Sequence, residues 1–185
     1  MSLSPVNRFV VISGCSGGGK STLLAELAQR GYVVVEEPGR RIVRAEVENR
    51  GTALPWIDLP AFLRQAIAMA LADRDAVRRS DNWVFFDRGI VDAAVGLQHL
   101  TGEPVVATLG HTHRYHQHVF LTPPWPEIYV QDPERRHGID SATSEYFRLL
   151  ETYSALGYEI SILSKVDVTE RADFVLGTLD YWRSR

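Results

Sequence analysis

Two rhythms of apolar residues alternate along this chain. Arg8 to Ser13 (RFVVIS) is a short β-branched run bounded by turn-forming residues, the pattern of a strand buried on both faces of a parallel sheet. The same signal returns at Tyr32 to Glu36 (YVVVE), Asn82 to Asp87 (NWVFFD), His118 to Leu121 (HVFL) and Glu159 to Leu163 (EISIL). Between these runs the apolar spacing lengthens to that of a helix. Thr22 to Arg30 carries Leu23, Leu24, Leu27 and Ala28 at such spacing, and Leu59 to Arg79 carries Phe62, Ala66, Met69, Ala70, Ala76 and Val77. Asp58 is a candidate cap for that long helix. Further helices are expected to start at Arg40 to Arg44, to follow His137 through about Ser154, and to close the chain from about Thr169 to Trp182. Strands alternating with helices predict a three-layer α/β/α domain whose five parallel strands are joined by right-handed crossovers. The length of 185 residues suits one such domain, residues 1–185.

Composition narrows the class. Hydrophobic residues make up 45% and charged residues 23%, enough apolar material for a real core. Cys15 is the one cysteine, which excludes an intramolecular disulfide or a cysteine-built metal site and fits a reducing, cytoplasmic setting. Apolar stretches stay far short of the roughly 18 residues a membrane span needs, so no membrane partner is expected. Twenty basic residues against 23 acidic ones give a net charge of -3, the wrong sign for a nucleic-acid binder. Any anion site must therefore be local. Of the 20 bases only Lys20 and Lys165 are lysines. Coding bias toward arginine accounts for the rest, but not for where Lys20 sits.

Lys20 lies in Gly14-Cys15-Ser16-Gly17-Gly18-Gly19-Lys20-Ser21, a full match to GxxxxGK[ST] placed between a predicted strand and a predicted helix. The glycines let backbone N–H groups approach phosphate oxygens, and the helix start adds its dipole. Gly14 through Thr22 is thus the candidate nucleotide-binding segment, with Lys20 reaching the β- and γ-phosphates of ATP and Ser21 ligating Mg²⁺. Cys15 reads as a small residue filling a tight turn.

Carboxylates and arginines cluster at other strand ends. Pro38 and Gly39 turn the chain just past the second strand, where open α/β sheets place their ligands. Glu37, there at the mouth, is the candidate base for an acceptor hydroxyl; its rival role is a helix-entry carboxylate paired with Arg40 or Arg41. Strand alternation turns Glu36 to the other face. Asp87 ends the third strand in a Walker-B-like pattern and is assigned to Mg²⁺, directly or through water. Arg88 is assigned to the acceptor or the transferring phosphoryl group, with a structural salt bridge as the alternative. Arg40, Arg41 and Arg88 are candidate substrate-binding residues, and with Arg44 they would suit an acceptor that already carries a phosphate. Residues 111, 113, 116 and 118 are histidines, but their spacing fits no metal motif. Trp56 and Trp125, in proline-flanked loops, read as anchors of those loops or as stacking walls of a pocket. Arg64, on the long helix, has an open role.

With these pieces in order, the sequence resembles the P-loop kinases of nucleosides and nucleotides, especially thymidylate kinases and deoxynucleoside kinases. The resemblance rests on Glu37-Pro38-Gly39, on the Asp87-Arg88 pair and on the paired arginines in Asp132 to His137. The segments EEPGRRIV, FFDRG and PPWPEIY are similar to an AAA-like ATPase family with nicotinamide riboside kinase domains among its neighbours. The resemblance implies a small helical lid at about 131–144, in which Arg135 and Arg136 would stabilise transition-state charge on closure; a solvated charge run is the plainer reading of that pair. It also sets Lys165-Val166-Asp167 where such enzymes place a loop over the nucleotide base. The expectation is an ATP- and Mg²⁺-dependent kinase that transfers the γ-phosphoryl group to a small-molecule acceptor, a nucleoside or nucleotide. The rival is a nucleotide-dependent switch with no small acceptor, although no Asn-Lys-x-Asp segment for guanine is present.

Overall fold

The computed structural model describes residues 7–77, 81–129 and 138–183. Five strands, β1 (Phe9–Gly14), β2 (Val33–Val35), β3 (Val84–Asp87), β4 (His118–Thr122) and β5 (Glu159–Ile162), form one sheet in the order β2-β3-β1-β4-β5. All four pairings are parallel, with Ile12 opposite Asp87 on one side of β1 and opposite Phe120 on the other. The helices are α1 (Lys20–Gln29), α2 (Pro38–Asn49), α3 (Leu59–Ala76), α4 (Ile90–Thr101), α5 (Val105–Thr112), α6 (Ile139–Ala155) and α7 (Val168–Arg183).

The two-residue alternation of the strands divides the core into two layers. Val10, Ile12, Phe85 and Phe120 point to the face covered by α1 and α7, where they meet Leu23, Leu27, Val175 and Leu179. Val11, Phe86, Val119 and Leu121 point to the other face, against Ala70 of α3, Val91 and Val95 of α4, Val106 of α5 and Leu149 of α6. This is the expected three-layer arrangement. Strand β1 lies at the centre, and the chain leaves it toward β2 before returning past it to β4. That reversal opens a crevice at the carboxyl ends of β1, β3 and β4.

Several elements differ in detail from the sequence reading. Strand β2, at the sheet edge with Val33 half exposed, is shorter than Tyr32 to Glu36. Helix α3 ends at Ala76 rather than at Arg79, and Asp58 caps its start by accepting from the Ala61 N–H at 3.0 Å. Two helices, α4 and α5, occupy the stretch between β3 and β4. The expected lid falls partly on the first turns of α6, and its residues 131–137, with Arg135 and Arg136, lie outside the described residues. No helix among the described residues is long and apolar enough to cross a membrane.

Candidate functional site

The loop from Gly14 to Gly19 curls between β1 and α1 because its glycines permit what other residues would not. Gly14 has φ +111°, and a Cβ there would lie 2.3 Å from the Thr122 carbonyl oxygen of neighbouring β4. Gly19 has φ +80° immediately before the first turn of α1, with the Arg171 guanidinium against its α-carbon. The Cys15 N–H bonds to Thr122 O at 2.8 Å, pinning the loop's first turn to β4. Cys15 itself is buried, filling the turn. Lys20 Nζ bends back over the loop and donates to Cys15 O at 2.9 Å. The Lys20 ammonium is buried, and that burial, followed by the nearby Arg88 guanidinium, lowers its pKa. A buried ammonium beside a helix N-terminus is primed for an anion. Ser21 and Thr22, on the first turn of α1, are exposed.

Asp87 ends β3 beside the loop, with 7% of its surface exposed. Burial, reinforced by the Glu37 carboxylate, raises its pKa from 3.8 to about 6, against the opposing pull of Lys20 and Arg88. Its Oδ1 is buried and accepts no hydrogen bond among the described residues. Such an orphaned carboxylate oxygen next to a P-loop fits a hard divalent cation. Mg²⁺ is usually held by one or two protein oxygens together with substrate phosphates, and Asp87 with the Ser21 hydroxyl is a donor set of that kind.

Arg88 follows in a left-handed backbone conformation, φ +66°, which costs a non-glycine residue on the order of 1 kcal/mol. Its N–H bonds to Ile12 O at 3.0 Å, and its side chain is 13% exposed. Three carboxylates surround it. Arg88 Nε lies 3.1 Å from Glu37 Oε1; Nη1 lies 2.8 Å from Glu145 Oε1 and 3.4 Å from Asp92 Oδ1. These neighbours raise the Arg88 pKa further above its already high value, despite the opposing effect of burial. Glu37 is the N-cap residue of α2, and its Oε2 lies 3.4 Å from Arg40 Nε. Both roles considered for Glu37 thus coincide in space: it pairs with arginines and it faces the crevice.

Beyond this cluster a cavity of about 320 Å³ opens among α2, α3, α4 and α6. Ser16, Glu37, Arg40, Arg88 and Tyr129 line its P-loop end, and Val43, Leu59, Phe62, Leu63, Ala66 and Val95 supply apolar wall. The structure therefore gathers Lys20, Glu37, Arg40, Asp87 and Arg88. Arg41 and Arg44 are elsewhere: Arg41 Nη1 bonds to Asp73 Oδ2 at 2.6 Å, and Arg44 pairs with Glu36 on the solvent side of α2. Arg64 pairs with Glu103 at the surface. Trp125 lies beneath the Arg171 guanidinium, 5.4 Å from its ring centre, and His116 packs edge-on against Trp83 in the core. Asp167 caps α7 through the Thr169 and Glu170 N–H groups, and Lys165 is exposed.

Four site residues escaped the sequence reading. Asp92, Glu145 and Arg148 line the cavity from α4 and α6, and Arg171 donates to Gly19 O at 3.2 Å from α7. Asp92 is the hub. It accepts from the Ser13 hydroxyl, from Tyr153 Oη at 2.7 Å and from the Gly89 N–H at 2.8 Å, so one buried carboxylate ties β1, α4 and α6 to Arg88. Its place four residues after Arg88, at the start of a helix, was the one signal available.

The parallel sheet in this strand order, with the glycine loop at its centre and the orphaned strand-end carboxylate beside it, defines a P-loop domain with the fold of the nucleoside and nucleotide kinases. A family model described as an AAA domain matches residues 9–171, and the chain belongs to that family. No curated protein matches the sequence. Among solved structures, the fold is similar to deoxyadenosine kinase from M. mycoides with bound dATP (TM-score 0.65, 16% identity, 94% of this chain and 99% of that one). It is also similar to thymidylate kinase from Ehrlichia chaffeensis (TM-score 0.60, 19% identity, 95% and 100%). A third similar structure is the NadR protein in complex with NR (TM-score 0.69, 16% identity), of which the match spans 97% of this chain and 52% of that one. At these identities the likeness speaks for the fold.

Proposed function

We propose that this protein is an ATP- and Mg²⁺-dependent phosphotransferase that moves the γ-phosphoryl group to a hydroxyl of a small molecule, with nucleosides and nucleotides as the first acceptors to test. The observation that carries this reading is the cavity that opens off the P-loop with the Glu37–Arg88 pair standing between the two. A domain that only bound and hydrolysed a nucleotide would have no use for a second pocket of this size at the γ-phosphate end. The known substrates of the deoxyadenosine and thymidylate kinases, taken from their names, support the choice of acceptor panel.

The roles follow from position. Backbone N–H groups of the loop, other than that of Cys15, which is bonded to Thr122 O, would hold the phosphates, with Lys20 leaving Cys15 O to neutralise charge on the β- and γ-phosphates. Asp87 and Ser21 would hold Mg²⁺, which would supply positive charge against that of the nucleotide's phosphates. Glu37 would accept the acceptor's hydroxyl proton, and Arg88 would fix the orientation of Glu37 through the 3.1 Å contact. The apolar walls exclude water, so that the acceptor rather than solvent meets the γ-phosphate.

The test is ADP formation by the purified chain with Mg²⁺ and ATP, alone and with each member of an acceptor panel. Acceptor-stimulated ADP release together with a phosphorylated product supports the reading. Hydrolysis at a rate that no acceptor changes overturns it.

A further inference from the structure

Among the described residues, every arginine but Arg148 that could have welcomed a phosphorylated acceptor already has a carboxylate. Arg41 is held by Asp73 and Arg44 by Glu36, both away from the cavity lining. Arg40 lies against Glu37, and the Nε and Nη1 edges of Arg88 are taken by Glu37, Glu145 and Asp92. Asp92 cannot withdraw, because its side chain is 3% exposed and is held by Ser13, Tyr153 and the Gly89 N–H. Glu37 is the group with a proton to take. Only Glu145, 39% exposed, has room to swing away, and it would remain beside whatever replaced it.

Charged groups face the cavity from α2, α4, α6 and the end of β3. Glu37, Asp92 and Glu145 stand against Arg40, Arg88 and Arg148, so the described lining is balanced, and the Asp87 carboxylate lies beside it. Arg148 is in no ion pair among the described residues, and its buried Nε–H donates to no partner there. A phosphate monoester would bring up to two further negative charges to three carboxylates and find one uncommitted arginine. An alcohol brings none.

We propose that the acceptor is an alcohol carrying no negative charge rather than a compound already phosphorylated, and that the carboxylates around Arg88 reject the phosphorylated form. This rests on the phosphotransferase reading. In the step it implies, the acceptor O–H gives its proton to the Glu37 carboxylate as its oxygen forms a bond to the γ-phosphorus. The bond from that phosphorus to the β,γ-bridging oxygen breaks, and its electron pair leaves on ADP. The product is a phosphate monoester, and the same carboxylates that exclude it as a substrate hasten its departure. A reaction that consumes such a monoester, by a second phosphorylation or by transfer onto the phosphate, must follow elsewhere.

The experiment uses the full chain with Mg²⁺ and ATP and matched pairs of alcohol and monoester: adenosine and AMP, thymidine and dTMP, nicotinamide riboside and its mononucleotide. At least one alcohol should be used with kcat/KM about 100-fold or more above its own monoester, the scale that like-charge juxtaposition imposes on specificity. Glu145→Gln should narrow that ratio about tenfold by raising kcat/KM for the monoester, a change that a purely structural role of Glu145 would not produce. Turnover confined to monoesters, or a ratio unmoved in Glu145→Gln, overturns the inference and leaves the phosphotransferase reading standing. Failure of every alcohol and every monoester to stimulate ADP formation overturns both.

Discussion

Replacing Asp87 by asparagine should make the nucleotide-free protein more stable while abolishing its response to Mg²⁺. The carboxyl is 7% exposed, and burial raises its pKa from 3.8 to about 6. A raised carboxyl pKa means that the folded protein binds a proton more tightly than the unfolded chain. Stability is then lost as pH rises between the two values, and the loss is complete above the folded one. The two acidity constants differ a little over a hundredfold, which corresponds to about 3 kcal/mol of strain carried by the apo protein at neutral pH. Asparagine carries no charge into the same space and should recover most of it. For a chain of this size, where 1 kcal/mol moves the midpoint by roughly 2–4 °C, the apo Tm should rise by roughly 4–10 °C at about pH 8. At about pH 4, where the folded wild-type carboxyl is protonated, the gain should shrink towards zero. Thermal unfolding of both proteins at the two pH values, with and without ATP and Mg²⁺, measures this directly. Wild type should gain a Mg²⁺-dependent increment in Tm with ATP that the variant lacks. A variant less stable than wild type at the higher pH, or one that keeps the Mg²⁺ increment, would refute the reasoning.

Four other substitutions probe separate parts of the account. Glu37→Gln should lower acceptor-dependent turnover by about 10²–10⁴-fold with ATP affinity nearly unchanged, whereas Lys20→Ala should weaken ATP binding and turnover together; calorimetric titration beside steady-state kinetics separates the two. Tyr153→Phe removes a 2.7 Å hydrogen bond to the buried Asp92 carboxylate and should cost about 1.5–3 kcal/mol in urea unfolding. Gly14→Ala sets a methyl group 2.3 Å from Thr122 O at a φ of +111°, and should yield little folded protein on size exclusion and circular dichroism.

Much of the scaffold was legible because its signals are local. The five strands announce themselves as apolar runs, and the glycine loop is a contiguous motif, so its place between β1 and α1 follows from reading in order. Asp87 and Glu37 were within reach for the same reason, since each sits where a strand ends and the chain must turn. The arginines were not. Arg40, Arg41 and Arg44 are neighbours in sequence, yet the turn of α2 sends Arg41 to Asp73 of α3 and Arg44 back to Glu36, so that of the three Arg40, paired with Glu37, lines the cavity. Helix α4 was missed because its Ile90 to Thr101 stretch is buried on most sides, and its apolar positions blur the periodicity that marks a surface helix. With it went Asp92, whose partners Ser13 and Tyr153 lie 79 and 61 residues away along the chain. Long-range pairing of this kind has no sequence signature, and it is what holds Arg88 in place.

The central claim is that the cavity beside the P-loop receives a second substrate. Following the γ-phosphorus of ATP by phosphorus NMR, with the purified chain, Mg²⁺ and the acceptor panel, tests it most directly. The account predicts a phosphate ester signal growing in step with ADP for at least one acceptor, and its loss in Glu37→Gln. Inorganic phosphate as the sole product, formed at the same rate with and without every acceptor, would contradict it.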